Sequence, residues 1–221
     1  MKIVHIPSKS IRFYCQDKNA STSLYERFNE FRSEQIVIWD DSCQVPSADC
    51  SVLDEPYMNE ISVVRNTFDR VASLFTMLRN DIEWNSYPET GVHEWFRHHA
   101  PPLVSAITGP TPFRSYVNYI CETAESGDAD SHWQFQTSHG IGTSKDIHVF
   151  SMDGLNAADV WLRVRGIGGE LKWLNRSDGS RYANLFDVQT RSAIESVYAH
   201  EIDVFGFDFH NTSQYSDRVI E

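Results

Sequence analysis

The sequence has no apolar run that approaches the roughly 20 residues needed for a membrane-spanning helix, although 41% of its 221 residues are apolar. The stretch from Met1 to Ser10 also lacks an apolar core long enough for a secretory signal peptide, and it has no small-residue cleavage site. We therefore expect a soluble, cytoplasmic protein without a membrane span. A chain of this length buries a substantial core in one domain, so we predict a single domain over residues 1–221.

Cysteine pairs at metal-binding or redox spacing are absent as well. The four cysteines are dispersed, which suits a reducing compartment and predicts free thiols: Cys15, Cys43, Cys50 and Cys121. His98 and His99 are adjacent, and adjacent side chains on a helix point about 100° apart, so the two are poorly placed to share a metal ion. We expect no metal site.

Positive charge is scarce, with 19 basic against 31 acidic residues and a net charge of −12. Because phosphate neutralisation dominates the affinity of most nucleic-acid binders, we expect no nucleic-acid partner. An anionic ligand of such a protein must be bound locally, by backbone N–H groups and a few Lys or Arg side chains at one place.

Runs of β-branched and aromatic residues alternate with segments of helical periodicity. Helices are predicted after the first and third of these runs, over about 156–165, and from an N-cap at Asp187 to a stop at Gly206. Prolines and a glycine predict a loop-rich stretch over 101–112. The predicted strands are residues 11–16, 35–39, 60–65 and 147–151. Strands separated by helices predict a three-layer α/β fold with a mostly parallel sheet flanked by helices.

A turn rich in hydroxyl groups joins the first predicted strand to its helix, reading Lys18-Asn19-Ala20-Ser21-Thr22-Ser23. The first N–H groups of a helix are unpaired and the helix dipole is positive there, so a phosphate or sulfate can bind beside the lysine. The Walker A pattern G-x-x-x-x-G-K-[ST] is absent. The alternative interpretation is a helix N-cap at Ser21 with a solvated lysine.

An arginine and a serine form a second candidate anion site. Arg65 closes the third predicted strand, and Ser73 lies eight residues on in the following helix, in V-V-R-N-T-F-D-R-V-A-S-L-F. A strand-end arginine and a serine two turns into the next helix can converge on one phosphate.

Both segments resemble donor-binding motifs of the sulfotransferases that use 3′-phosphoadenosine-5′-phosphosulfate (PAPS). Residues 18–23 are similar to the 5′-phosphosulfate loop, P-K-x-G/A-x-T-S, and residues 65–73 to the 3′-phosphate motif, V-R-D-P-x-x-R-x-x-S. The sequence departs from these patterns at Asp17 and at Asn66-Thr67, where the family has proline and Asp-Pro.

Three later segments are similar to the carbohydrate sulfotransferases, the group of the heparan sulfate 2-O- and chondroitin 4-O-sulfotransferases and their bacterial relatives. Residues 132–136 resemble H-W-x-P-Q, with Phe135 in place of the proline. Residues 174–177 resemble h-x-N-x-S, and residues 197–209 resemble I-Y-x-x-D-x-x-x-F-G-Y. The resemblance covers the catalytic domain alone.

The resemblance implies a P-loop NTPase-like sulfotransferase fold and in-line transfer of the sulfuryl group from PAPS to an acceptor hydroxyl, without a metal ion. Lys18 would stabilise the charge on the departing phosphate, and the products would be adenosine 3′,5′-bisphosphate and a sulfated acceptor, with a glycan the expected acceptor class. The PAPS-binding residues implied are Lys18, Asn19, Ala20, Ser21, Thr22, Ser23, Arg65, Ser73, Asn175 and Arg176.

The acceptor hydroxyl needs a general base, for which the sequence offers alternatives. Asp40 and Asp41 follow the second predicted strand, where several members of the family carry a histidine or carboxylate base. His132 has an imidazole suited to proton transfer near neutral pH. Each has a structural interpretation too: a turn cap for the aspartates, and substrate orientation for His132.

Two other functions remain compatible with the sequence. One is a P-loop-like nucleotide phosphotransferase, which the Lys18 turn permits although Walker A glycines and an evident Mg²⁺-binding partner are lacking. The other is a catalytically inactive module that binds nucleotide or glycan, which the replaced Asp-Pro allows.

Overall fold

The chain divides into two compact units in a computed structural model that describes residues 2–16, 19–31, 33, 36–39, 59–84, 92–168 and 179–209. The first unit combines Met1–Asn66, Gln136–Arg176 and Val204–Glu221, and the second combines Thr67–Phe135 and Ser177–Asp203. Both units are discontinuous in sequence. The single domain over residues 1–221 stays a prediction beside this division.

The first unit contains a mixed β-sheet. Its strands within the described residues are β1 (Lys2–Ile6), β2 (Ile11–Cys15), β3 (Ile36–Trp39), β4 (Asn59–Val64) and β5 (Ile147–Ser151). They lie in the order β3-β1-β2-β4-β5, and β1 is antiparallel to both of its neighbours. The β2–β4 and β4–β5 pairings are parallel. The α/β class is thus confirmed. The sheet is mixed, with two parallel and two antiparallel pairings among the described strands, whereas a mostly parallel sheet was expected.

The antiparallel strand β1 was not predicted. Its apolar run is short, and the sequence shows only an N-terminal patch there. Residues 7–10 connect β1 to β2 as a short 3-10 turn, with Ser10 left-handed at φ 49°. A connection of this length permits only antiparallel pairing, because a parallel pair needs a crossover of a dozen or more residues. The mixed character of the sheet follows from this hairpin.

One face of the sheet forms the core of the first unit. Leu24 of α1 (Ser21–Arg27) and Leu162 of α6 (Leu155–Val164) belong to this core. The strand residues that pack with them are fully buried: Val4, Ile6, Ile11, Phe13, Ile61 and Val63. At the end of α1, Arg27 forms an ion pair with Asp159 and donates to the carbonyl of Ile167 at 3.0 Å. This arginine therefore joins the two helices.

The opposite face carries a buried polar row. His5, Arg12 and Glu60 are register partners across β1, β2 and β4. Arg12 Nη1 lies 2.7 Å from Glu60 Oε1, and the Tyr14 hydroxyl donates to Glu60 Oε2 at 3.2 Å. Burying these charges is tolerated because each carries a partner.

The second unit is helical. Its helices are α2 (Thr67–Trp84), α3 (Val92–His99), α4 (Pro101–Thr108), α5 (Pro112–Ser126) and α7 (Val188–Val197), and α8 (Ala199–Phe205) begins in it. Phe113 stacks edge-on against Phe75 and Phe186, with ring centroids 5.0 and 4.8 Å apart. The N-cap at Asp187 is confirmed and forms a capping box with Thr190.

The loop-rich stretch predicted over 101–112 is wrong for residues 101–108, which form α4, whereas residues 109–111 connect α4 to α5. Pro101 and Pro112 stand in the first turns of α4 and α5. A first-turn residue needs no intrahelical N–H bond, and the fixed φ of proline suits a helix start. The prolines therefore begin helices there. Within the described ranges, no helix is both long and apolar enough to cross a bilayer.

Acid should destabilise the protein through His5. Burial, and to a lesser extent the Arg12 charge, lower its pKa from 6.5 to about 4 in the folded state. As the pH falls below 6.5, the unfolded chain binds a proton at His5 while the folded chain does not. The contribution of His5 to the free energy of unfolding is therefore fully present above pH 6.5 and decreases as the pH falls to about 4. Between pH 7 and pH 5 the loss amounts to about 2 kcal/mol.

We expect His5→Leu to lack this part of the acid sensitivity, measured as the free energy of unfolding in urea at both pH values. His98→Gln, at an exposed position, is the control and should keep the wild-type pH dependence. An unchanged pH dependence in His5→Leu would contradict the assignment.

Candidate functional site

The first predicted anion-binding turn lies at the carboxyl end of β2. The strand ends at Cys15, and α1 begins at Ser21, which confirms a strand, a turn and a helix in that order. Ala20, at the N-cap, is left-handed with φ 57° and ψ 18°. Glycine tolerates this conformation best because it lacks a Cβ, which fits the glycine that the resembled pattern allows here; Ala20 adopts it at a cost of about 1 kcal/mol.

Arg65 lies at the matching edge of the neighbouring strand. It follows β4 directly, is buried, and precedes α2, which starts at Thr67. Because β2 and β4 are parallel neighbours, their carboxyl ends leave the sheet at the same edge. The strand pairing therefore brings the turn at Asn19 and the strand end at Arg65 together.

A glutamine joins these two segments. The Arg65 N–H donates to Gln136 Oε1 at 2.8 Å, and Gln136 Nε2 donates to the Arg65 carbonyl at 2.8 Å. Asn19 Nδ2 donates to the same Oε1 at 2.7 Å. Both Gln136 and Asn19 are buried. The sequence contains Gln136 within the segment that resembles H-W-x-P-Q, but nothing in its spacing assigns it this contact.

The other predicted donor-site residues lie on different elements or outside the described residues. Ser23 is buried on α1, and Ser73 is half-buried on α2 in the second unit. Arg65 belongs to the first unit, so the convergence of Arg65 and Ser73 on one phosphate stays a prediction. Ser21 and Thr22 form the first turn of α1. Five predicted site residues lie outside the described residues: Lys18, Asp40, Asp41, Asn175 and Arg176.

His132, one of the candidate bases, is oriented by an aspartate. Its Nδ1 lies 2.5 Å from Asp130 Oδ1, which also accepts the backbone N–H of His132 at 2.9 Å. The Phe96 ring stands edge-on to the imidazole at 5.6 Å. Both side chains are about one-fifth exposed, 23% for His132 and 20% for Asp130. With Nδ1 bound to a carboxylate, proton transfer falls to Nε2.

A buried arginine supports the segment that carries His132. Arg70 Nη1 donates to the carbonyl of Gln134 at 2.8 Å, and Nη2 to the carbonyl of Ser131 at 3.3 Å. Arg70 stands at the second arginine of the V-R-D-P-x-x-R-x-x-S pattern. Sequence reasoning assigned no role to Arg70 or to Asp130. The repeated arginine of the pattern is a signal for the first, and the D-x-H spacing of an Asx turn is a signal for the second.

Each described segment that carries the resemblance is hydrogen-bonded to another of them. The Tyr198 hydroxyl donates to the Trp133 carbonyl at 2.7 Å, and burial raises the pKa of Tyr198 well above its usual value, so the phenol stays neutral. Thr67 Oγ1 donates to Glu201 Oε1 at 2.6 Å, and Asn66 Nδ2 to the Asp208 carbonyl at 2.9 Å. Within each unit, hydrogen bonds therefore connect parts of these segments.

No family model matches the chain, and neither a curated protein nor a solved structure is significantly similar to it. In the part of the chain that the structure describes, no three His, Cys, Asp or Glu side chains are grouped to hold a metal ion. Cys121 is a buried free thiol, Cys15 is also buried, and Cys43 and Cys50 lie outside the described residues. The function is therefore inferred from the residues and geometry above.

The Asp130 contact predicts the tautomer of His132. Because the carboxylate accepts from Nδ1, the neutral imidazole should carry its proton on Nδ1 and leave Nε2 as the base. We expect ¹⁵N chemical shifts of the wild type to report this tautomer, and Asp130→Ala to shift the population towards Nε2–H. The exposed His98 supplies the reference shifts. The same tautomer ratio in Asp130→Ala and the wild type would contradict the orienting role.

Proposed function

We propose that the protein is a sulfotransferase that moves the sulfuryl group of PAPS to an acceptor hydroxyl. One observation carries the proposal. Two segments that resemble the 5′-phosphosulfate and 3′-phosphate motifs lie at the carboxyl ends of the parallel neighbours β2 and β4, and Gln136 joins them. In open α/β sheets ligands bind at such an edge. The finer fold assignment, a P-loop NTPase-like sulfotransferase fold, is part of this proposal.

The proposed anion-binding groups form two sets, which suits a nucleotide with anionic groups at both its 5′ and 3′ positions. The backbone N–H groups of residues 20–23 would bind the 5′-phosphate at the start of α1, since the Asn19 N–H donates to the Gln16 carbonyl at 3.3 Å. Arg65 with Ser73 would bind the 3′-phosphate. Asn175 and Arg176 would complete the contacts. In a protein with a net charge of −12, these local groups are what makes anion binding favourable.

Transfer would proceed by in-line displacement at sulfur, with Lys18 stabilising the charge that develops on the departing phosphate. The base abstracts the proton of the acceptor hydroxyl as the oxygen attacks. Among the three candidates, His132 is favoured by its contact with Asp130, which fixes the ring and stabilises the imidazolium that forms. Asp40 and Asp41 are the alternatives. The acceptor class we propose is a glycan hydroxyl.

Binding of adenosine 3′,5′-bisphosphate tests the donor site without an acceptor. We expect the wild type to bind this nucleotide in the absence of Mg²⁺ and in preference to ATP. Arg65→Ala should raise its Kd about 10- to 100-fold, since a hydrogen bond to a charged group is worth about 1.5 to 3 kcal/mol. The exposed Arg97 gives the matched control, Arg97→Ala, with an unchanged Kd by calorimetry.

Preference for ATP with Mg²⁺ would instead indicate a phosphotransferase. An unchanged Kd in Arg65→Ala would make that arginine structural.

Turnover tests the catalytic residues. Incubation with PAPS labelled in its sulfuryl group and a panel of glycans, phenols and lipid extracts should transfer label in the wild type. Lys18→Ala should abolish transfer while the circular dichroism spectrum stays unchanged. Separate alanine substitutions of Asp40, Asp41 and His132 should leave nucleotide binding intact, and the base is the one whose loss collapses kcat. Binding without transfer to any acceptor would favour an inactive nucleotide-binding module.

A further inference from the structure

The orientation of the Gln136 amide follows from the backbone that it contacts. The Arg65 N–H can only donate and the Arg65 carbonyl can only accept, so Oε1 must face the first and Nε2 the second. Because Oε1 accepts, the Asn19 group 2.7 Å away must be the donor Nδ2. Three hydrogen bonds therefore fix both amides in one arrangement.

Gln136 continues the strand pairing where the backbone stops. The β2–β4 ladder ends at the pair Tyr14 and Ser62. Asn19 and Arg65 both lie beyond that pair, and both donate a hydrogen bond to Oε1 of Gln136. Beyond the backbone pairing, the two segments are thus joined by a side chain that is completely buried.

We propose that Gln136 is a positioning residue that holds the 5′-phosphate and 3′-phosphate sites at the spacing of one nucleotide, an inference that rests on the proposed function. A ligand with two linked charged groups gains affinity only when both sites are held at the matching distance. A shift of about 1 Å at such a site is costly. Loss of Gln136 should therefore weaken a bisphosphate far more than either monophosphate.

Two variants remove different hydrogen bonds of the connection that Gln136 makes between Asn19 and Arg65. Gln136→Leu removes all three hydrogen bonds at similar volume. Asn19→Ala removes the bond from Asn19 to Gln136 and a longer one, 3.5 Å, from Asn19 to Gln16 Oε1, and it keeps the pairing of Gln136 with Arg65. Asn19 Oδ1 is buried and has no hydrogen-bond partner among the described residues. Asn19→Ala therefore deletes an unsatisfied acceptor together with two hydrogen bonds of Nδ2, and it should fold even if Gln136→Leu does not. Gln189→Leu, at an exposed glutamine, is the matched control.

The experiment measures Kd by calorimetry for adenosine 3′,5′-bisphosphate, adenosine 5′-phosphate and adenosine 3′-phosphate. We expect Gln136→Leu to raise the bisphosphate Kd by about 10-fold or more and each monophosphate Kd by about 2-fold or less. Asn19→Ala should change the same ratio in the same direction, and the double variant should add little to Gln136→Leu, because the link is already cut.

A merely structural Gln136 would lower the melting temperature and leave the ratio of bisphosphate to monophosphate Kd unchanged. That ratio, unchanged in folded Asn19→Ala and Gln136→Leu, would overturn the positioning role and leave the sulfotransferase proposal standing. A wild type that binds none of the three nucleotides would overturn both.

Discussion

The parallel pairing of β2 with β4 is the constraint on which the candidate donor site depends. It makes the chain leave both strands at one edge of the sheet, where the start of α1 and a strand-end arginine lie together. The hairpin reverses the chain between β1 and β2, and β2 runs in the same direction as β4. Beyond the last backbone pair of these strands, the amide of Gln136 accepts hydrogen bonds from both Asn19 and Arg65.

The buried arginines divide by their surroundings. Arg12 is paired with Glu60, Arg27 with Asp159, and Arg70 is bound by two main-chain carbonyls. A guanidinium is buried at acceptable cost when acceptors compensate its charge, so these three arginines have a structural role within the fold. Arg65 differs in its position, since it follows a parallel strand at the edge that also holds Asn19. In an acidic protein, that position suits an anionic ligand.

Most described elements were predictable because their signals are local. The strands at 11–16, 35–39, 60–65 and 147–151 were placed within a residue or so, since β-branched and aromatic side chains mark buried strands. The N-cap at Asp187 was predictable because an aspartate directly before a helix is also a local signal. β1 was not predicted, although it is as long as β2 and β5. The prolines over 101–112 misled because proline both breaks helices and starts them.

The sequence by itself determined the chemistry on offer: a hydroxyl-rich turn after one strand, an arginine after another, and a histidine in a polar segment. Only the tertiary structure decided which of these residues meet. Gln136 reaches Asn19 across 117 positions and Arg65 across 71. No local pattern encodes such a contact, because hydrogen-bond partners are selected by the burial of polar groups, which exists only once the strands have paired.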